Sequence, residues 1–343
     1  MRKPSRLGIV LAIVMPTVAA LGLHRVTTLS LREPPSVVWK SPYGTQPTSV
    51  GDATGLDGRH YGPLAFALWG KRLVVADSYN NRVILQIPHT QVVEAAPLMV
   101  EDLAVTPSGA VLVADNRELG IWRLGSGLPI RLIRIPRETG VTEAIWHIAV
   151  GPRGEIVVQT LGFGQGRYHV TLNEYTRRGR LIRELSRAEG GEAANLTPLA
   201  GHGPIGIIRG FEISPTNELY VLPPSHQSFQ RHIDVYRWDG QYVQQITVRS
   251  PEAIIDSTLL GVNRLGWVYV GVNLTTAHRA RVLVVSSAGT LINDLKVHSI
   301  PVYSAVYGRV SPDGSLYLVQ STLHHYVIDR WALLERRAWR WFL

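Results

Sequence analysis

"LAVTPSGAVLVAD", Leu103 to Asp115, is one copy of a unit that returns along the chain. "IAVGPRGEIVVQT" (Ile148 to Thr160), "FEISPTNELYVLP" (Phe211 to Pro223) and "GRVSPDGSLYLVQ" (Gly308 to Gln320) repeat it. Each has a short apolar run, a proline, Gly or Asn two residues later, and a second apolar run. "AFALWGKRLVVAD" (Ala65 to Asp77) and "LGVNRLGWVYVGV" (Leu260 to Val272) are further copies without the turn proline. Short β-branched runs bounded by Gly, Pro, Asn and Asp are strands. The proline fixes φ at the second turn position, and the following Gly or Asn tolerates a positive φ. From Pro35 onward almost no segment carries helical periodicity.

With Lys71, Gly109, Gly154, Asn217, Gly266 and Gly314 as equivalent turn positions, the spacings are 38, 45, 63, 49 and 48. Units of this size match a four-stranded blade, so the expected fold is all-β, a six-bladed β-propeller. Arranging the sheets radially buries both faces of each and leaves only short edges. The second strands, such as "VLVAD" and "WVYVG", are accordingly apolar throughout rather than alternating. Third strands follow ("RVILQI", "GIWRL", "HVTLNEY", "HIDVYRW", "RVLVVSS", "YVIDRW"), and several lead on to a fourth. The last blade runs short, and "SVVWKS" (Ser36 to Ser41) is expected to supply its outer strand from the other end of the chain. The long interval contains "SRAEGGEAANLTPLAGHGP" (Ser186 to Pro204), expected to be a surface loop, and "GFGQG" (Gly162 to Gly166) is expected to be a hairpin.

The chain has 343 residues, 45% hydrophobic and 18% charged, enough for a full-sized core. It contains no cysteine, which excludes disulfides, thiolate nucleophiles and Cys-ligated zinc. Its formal charge of +9 is almost all arginine, with local clusters at Arg177-Arg178-Gly179-Arg180 and Arg336-Arg337. Such a charge raises nucleic acid, anionic lipid and acidic polysaccharide as partners. Arg2, Lys3 and Arg6 precede an uncharged segment from Leu7 to Leu23, the order of a signal peptide or an N-terminal membrane anchor. Either places the body outside the cytoplasmic membrane and removes nucleic acid from the expected partners. The expected organisation is a signal or anchor over 1–23, a linker over 24–34, the propeller over 35–331 and a basic aromatic tail over 332–343. That tail could pack on the last blade or lie on an anionic membrane.

"GLDGRHYGPLAFALWGKRLVVADSYNNRVILQ", Gly55 to Gln86, resembles an NHL repeat of the TolB-like six-bladed class. It keeps Asp57-Gly58, Gly62-Pro63, Val75-Ala76-Asp77, Ser78, Asn80-Asn81, Arg82 and Val83, while later copies keep the rhythm without the signature. The resemblance implies that the polar knot from Asp77 to Arg82 is a structural turn. Asp77 and the Asn pair would cap backbone N–H groups, and Arg82 would bridge to a carboxylate.

Ligand sites of propellers gather where the inner strands begin, around the central channel. The polar residues there are Glu101, Asp102, Glu143, His147, Arg209 and Asp256. Lactonase-like and lyase-like relatives hold a divalent ion at this place. The resemblance therefore implies Ca²⁺ or Mg²⁺ on Glu101, Asp102 and Asp256, with His147 as base. No G-x-S-x-G, H-E-x-x-H or phosphate-binding loop accompanies them. The leading expectation is a monomeric, non-catalytic binding or scaffolding module for a protein, glycan or small ligand. A metal-dependent hydrolase or lyase is the alternative, and a polyanion binder the third.

Overall fold

The computed structural model describes residues 35–332, except 55–59, 88, 95–97, 99, 126–127, 193–194, 199–204, 206–208, 226, 276–279, 298–301 and 304–305. The proposed signal or anchor segment, the linker before Pro35 and the tail from 333 lie outside the described residues. Among the described residues no helix is long and apolar enough to cross a membrane.

Six antiparallel sheets form a six-bladed β-propeller. Blade 1 comprises Ala65–Trp69, Arg72–Asp77, Arg82–Ile87 and His89–Glu94. Blade 2 comprises Val100–Val105, Val111–Asp115, Gly120–Leu124 and Ile130–Arg134. Blade 3 contains Val141–Val150, Ile156–Gly164, Arg167–Tyr175, Leu181–Gly190 and a fifth strand, Thr197–Pro198. Blade 4 is Gly210–Ile213, Glu218–Leu222, Gln230–Arg237 and Tyr242–Arg249, and blade 5 is Ile254–Val262, Val268–Leu274, Ala280–Val285 and Leu291–Val297. Blade 6 takes Gly308–Val310, Leu316–Val319 and His325–Trp331 from the C-terminal end, and Ser36–Pro42 pairs with the last of these as its outer strand. The closure expected of Ser36 to Ser41 is therefore present.

Apolar clusters fill every interface around the ring. Blade 1 shows why its second strand is apolar at successive positions. Val74 and Ala76 pack toward blade 2 with Leu103 and Val113, whereas Leu73 and Val75 pack toward blade 6 with Tyr317 and Ile328. Period-two geometry sends neighbouring residues to opposite faces, and here both faces are core. The turn positions at Gly109, Gly154 and Gly314 have φ of 86°, 87° and 84°, and Asn217 has 66°.

The segment Ser186 to Pro204 departs from the surface loop expected of it. The hairpin across Gln165-Gly166 is long, and its third strand pairs as far as Tyr168 opposite Gly190. Satisfying those backbone groups extends the fourth strand to Gly190, and Thr197–Pro198 then pairs beside it.

The knot is a turn, and it is also a clamp. Asp77 is fully buried, and its Oδ1 accepts the Gly51 N–H at 2.7 Å. Its Oδ2 accepts from Arg82 Nε at 2.7 Å and from Asn80 Nδ2 at 2.9 Å. Arg82 also donates to the Gln46 and Ser49 carbonyls at 2.8 Å, and Asn80 donates to the Gly44 carbonyl at 3.0 Å. Asn80 thus binds a carboxylate and a carbonyl instead of capping N–H groups, and Asn81 takes the left-handed turn position at φ 50°. The segment held is the chain that follows the closing strand.

Asp77→Asn should lower unfolding stability by about 3 kcal/mol in urea titration with an unchanged m-value, because breaking one partner of a buried pair strands the other. A loss below about 1 kcal/mol, the level of an exposed pair, would show the clamp to be dispensable.

Candidate functional site

Aligning the blades on their turns places two inward positions in register. Seven residues before the turn stand Asp102 in blade 2 and His147 in blade 3. Five residues before it stand Ala104, Ala149, Glu212, Gly261 and Arg309 in blades 2 to 6.

These side chains meet in the channel. Asp102 is 3% exposed, and its Oδ2 contacts His147 Nδ1 at 2.7 Å while accepting the Ile148 N–H at 2.9 Å. Its Oδ1 accepts the Leu103 N–H at 2.8 Å. On the other side of the ring, Arg309 Nη1 donates to Glu212 Oε1 at 2.7 Å and Nε donates to the Phe66 carbonyl at 3.2 Å. Arg309 Nη2 lies 3.6 Å from Asp102 Oδ1. His147 Nε2 lies 3.5 Å from the same Glu212 oxygen and makes no hydrogen bond. The His147 ring also leans on Phe211, with centroids 5.0 Å apart. Groups from blades 1, 2, 3, 4 and 6 thus converge, two cationic and two anionic. The side chains of His147, Glu212 and Arg309 remain 12–13% exposed, open to the channel but largely desolvated.

Burial alone would push the His147 imidazole down, but the Asp102 carboxylate overrides it by charge and hydrogen bond, and the pKa rises to about 9. Burial likewise opposes the charged form of Asp102, yet His147, Arg309 and the Ile148 N–H hold its pKa below the ordinary value. The pair is therefore an imidazolium and a carboxylate at neutral pH.

The remaining expected residues stand elsewhere. Arg209 and Asp256 form an exposed ion pair between the starts of the inner strands of blades 4 and 5. Glu101, beside Asp115 and Asp102, is pushed up by burial and then by those charges. Glu143 is also pushed up, chiefly by burial, and lies near His169 across the side-chain-free Gly162. Asp102 and His147 were legible as polar breaks in apolar runs. Glu212 and Arg309 were missed, because "FEI" and "GRV" have ordinary strand alternation, and only the turn-aligned column distinguishes them.

A divalent ion on Glu101, Asp102 and Asp256 does not fit this arrangement. Both Asp102 oxygens are engaged, Asp256 is paired with Arg209, and the Arg309 guanidinium sits against Asp102 and Glu212. Among the described residues no three acidic or imidazole side chains group as a metal site.

No protein-family model matches the chain, and no curated protein sequence matches it. The likeness of residues 55–86 to an NHL repeat thus has no counterpart in a family match. Solved structures do superpose. A gluconolactonase from Xanthomonas campestris is 17% identical, with a TM-score of 0.45 over 88% of this chain and 99% of its own. A luciferin-regenerating enzyme is 12% identical, with a TM-score of 0.48 over 87% and 96%. The calcium-binding protein regucalcin from Agrobacterium tumefaciens is 11% identical, with a TM-score of 0.47 over 78% and 95%. Several of the matched structures are thus enzymes, but the sheet topology alone establishes the propeller here.

The linkage has a defined sign. A raised His147 pKa adds stability that is complete below about pH 6.5 and is lost as pH rises through about 9. Denaturant titrations across that window should show a loss on the order of 2–3 kcal/mol, nearly absent in His147→Asn. An equal alkaline loss in the variant would assign the effect to other groups. Arg309→Ser should destabilise by about 3 kcal/mol, since it removes the hydrogen-bonded partner of the largely desolvated Glu212. It should also gain thermal stability from millimolar Ca²⁺ or Mg²⁺, reversed by chelator, while the parent protein stays unresponsive. If variant and parent are equally insensitive to the ions, Arg309 is not filling a cation's position.

Proposed function

We propose that the chain is a channel-site propeller hydrolase or lyase that works by acid–base chemistry without a resident metal ion, on a small ester- or lactone-like substrate. The observation that carries this is His147, fixed by Asp102 through Nδ1, with Nε2 free of hydrogen bonds but at ion-pair distance from Glu212, 3.5 Å away, beside a guanidinium. An imidazolium held this way is a general acid able to protonate a leaving oxygen. Arg309 would stabilise the negative charge that develops on a carbonyl or enolate oxygen, acting in a site with little water. Glu212 would orient or accept the proton of the attacking water or of the carbon acid. Function is argued from these groups because the fold hosts many activities.

A second reading, the non-catalytic binding module, is favoured by the mutual pairing of the four charges, which alone would suit a plug that closes the channel. The two differ in turnover. Screening lactones, aryl esters and β-elimination substrates should find one whose kcat/KM falls above about pH 9 with unit slope, as His147 loses its proton. His147→Gln should lower that kcat by about 10²–10⁴-fold while KM changes little. No turnover across the panel would leave the binding module standing, and undiminished turnover in the folded variant would remove His147 from the chemistry.

A further inference from the structure

On the face of the ring that carries the first-to-second-strand turns, blades 3 and 4 form an open groove of about 490 Å³, remote from the hub in sequence and built from different strands. Arg153, Arg183, Arg237, Asn217, Trp238 and Ile182 line it. Its inner wall is a built frame. Glu174 is 3% exposed and accepts from Arg183 Nε at 2.7 Å and from the Trp238 indole N–H at 2.8 Å. Arg183 donates in addition to the Asp239 carbonyl at 2.9 Å and to the Trp238 carbonyl. Glu174 is thereby spent on the frame, and Glu155 Oε2 lies buried beside Gly151, Asn217 and Trp238. The Asp239 carboxylate accepts the Gln241 N–H at 2.9 Å, within its own hairpin turn.

The rim is charged differently. Arg153 projects from the blade 3 turn, and Arg237 is held only by the neutral Gln241 amide at 2.8 Å. The basic turn Arg177-Arg178-Gly179-Arg180 packs at Gly179 against Leu132 of blade 2 and is not part of this lining. Among the described residues the lining arginines Arg153 and Arg237 pair with no carboxylate. Asn217, held in the left-handed conformation at φ 66°, keeps an Oδ1 without a hydrogen-bond partner.

We infer that this groove is a binding site for an acidic sugar unit, a uronate of a polyanionic saccharide. An indole and an isoleucine offer an apolar wall for a pyranose ring, and the amide offers hydrogen bonding to hydroxyls. The unpaired guanidiniums on the rim recognise the carboxylate in bidentate fashion and draw in the flanking acidic units. The groove has room for one or two sugar units, and the rest of the saccharide extends past Arg153 and Arg237. The inference stands independently of the channel chemistry.

The test is isothermal titration of the full chain with an oligogalacturonate, its methyl-esterified neutral form and inorganic polyphosphate, at about 50 mM and 200 mM salt. The acidic oligosaccharide should bind, the ester should bind at least about tenfold more weakly, and polyphosphate should not compete at equal charge. The exposed double variant Arg153→Gln/Arg237→Gln, checked for an unchanged melting temperature, should lose about tenfold or more in affinity. Equal binding of acid and ester would overturn the proposal. So would indiscriminate binding of all polyanions, which would mark a charged surface without a site. Undiminished binding by the double variant would also overturn it, because the ligand would then sit elsewhere.

Discussion

A propeller is a ring, and a ring has a seam. Here the seam is the pairing of Ser36–Pro42 with His325–Trp331, which brings together residues almost 300 positions apart. Closing a loop of that length costs on the order of 5 kcal/mol in chain entropy before any contact repays it. Backbone pairing and the edge-on contact of Trp39 with Tyr326 act against that cost. The Asp77–Arg82 pair adds the constraint that pairing alone cannot supply. It fixes the chain from Gly44 to Gly51 onto blade 1, so the closing strand is anchored on one side by blade 6 and on the other by blade 1. Val50 is fully buried in the cluster between those two blades, which couples the clamp directly to the core.

The channel is held by a different force. Blade interfaces are apolar and non-directional, and they would tolerate small rotations of one sheet against the next. The hub is directional. Arg309 alone touches groups from blades 1, 2 and 4, so a rotation of any of these lengthens a charged contact in a site with little water. Such buried networks are weak evidence for stability, because desolvation offsets much of the Coulomb gain. Their more secure consequence is positional, since the distance from His147 to Glu212 is set by four blades at once.

The two systems differ in how well the sequence exposes them. Blade number, turn positions and the closing strand were all readable, because they follow from period-two patterning and from the φ demands of Gly and Asn, which are local. The knot was readable as a turn for the same reason, but the segment it clamps was not, since Gly51 lies 26 residues from Asp77 and nothing in "SYNNR" specifies it. The fifth strand of blade 3 was hidden by its Gly- and Ala-rich composition; what makes it a strand is the unusually long hairpin beside it, which is a tertiary cause. In the channel, Asp102 and His147 interrupt apolar runs and stand out. Glu212 and Arg309 occupy positions where a polar residue normally means solvent, and in a propeller that same direction points to the axis.

A guanidinium in the channel has consequences that a metal ion would not. Two carboxylates and a backbone carbonyl from three blades converge on it, much as oxygen ligands converge on a hard cation. A metal ion leaves when its concentration falls, when acid protonates its ligands or when a chelator competes. Arg309 is covalently part of blade 6, so neither dilution nor a chelator can remove it. Its position also lowers the freedom of its neighbours, for Glu212 is committed to it at 2.7 Å, and only one edge of the His147 ring is left unbound. The channel therefore offers a covalently fixed guanidinium beside an imidazole whose pKa is raised to about 9. His147 contributes its own pH dependence around pH 9, where loss of its proton would leave Asp102 facing a neutral ring.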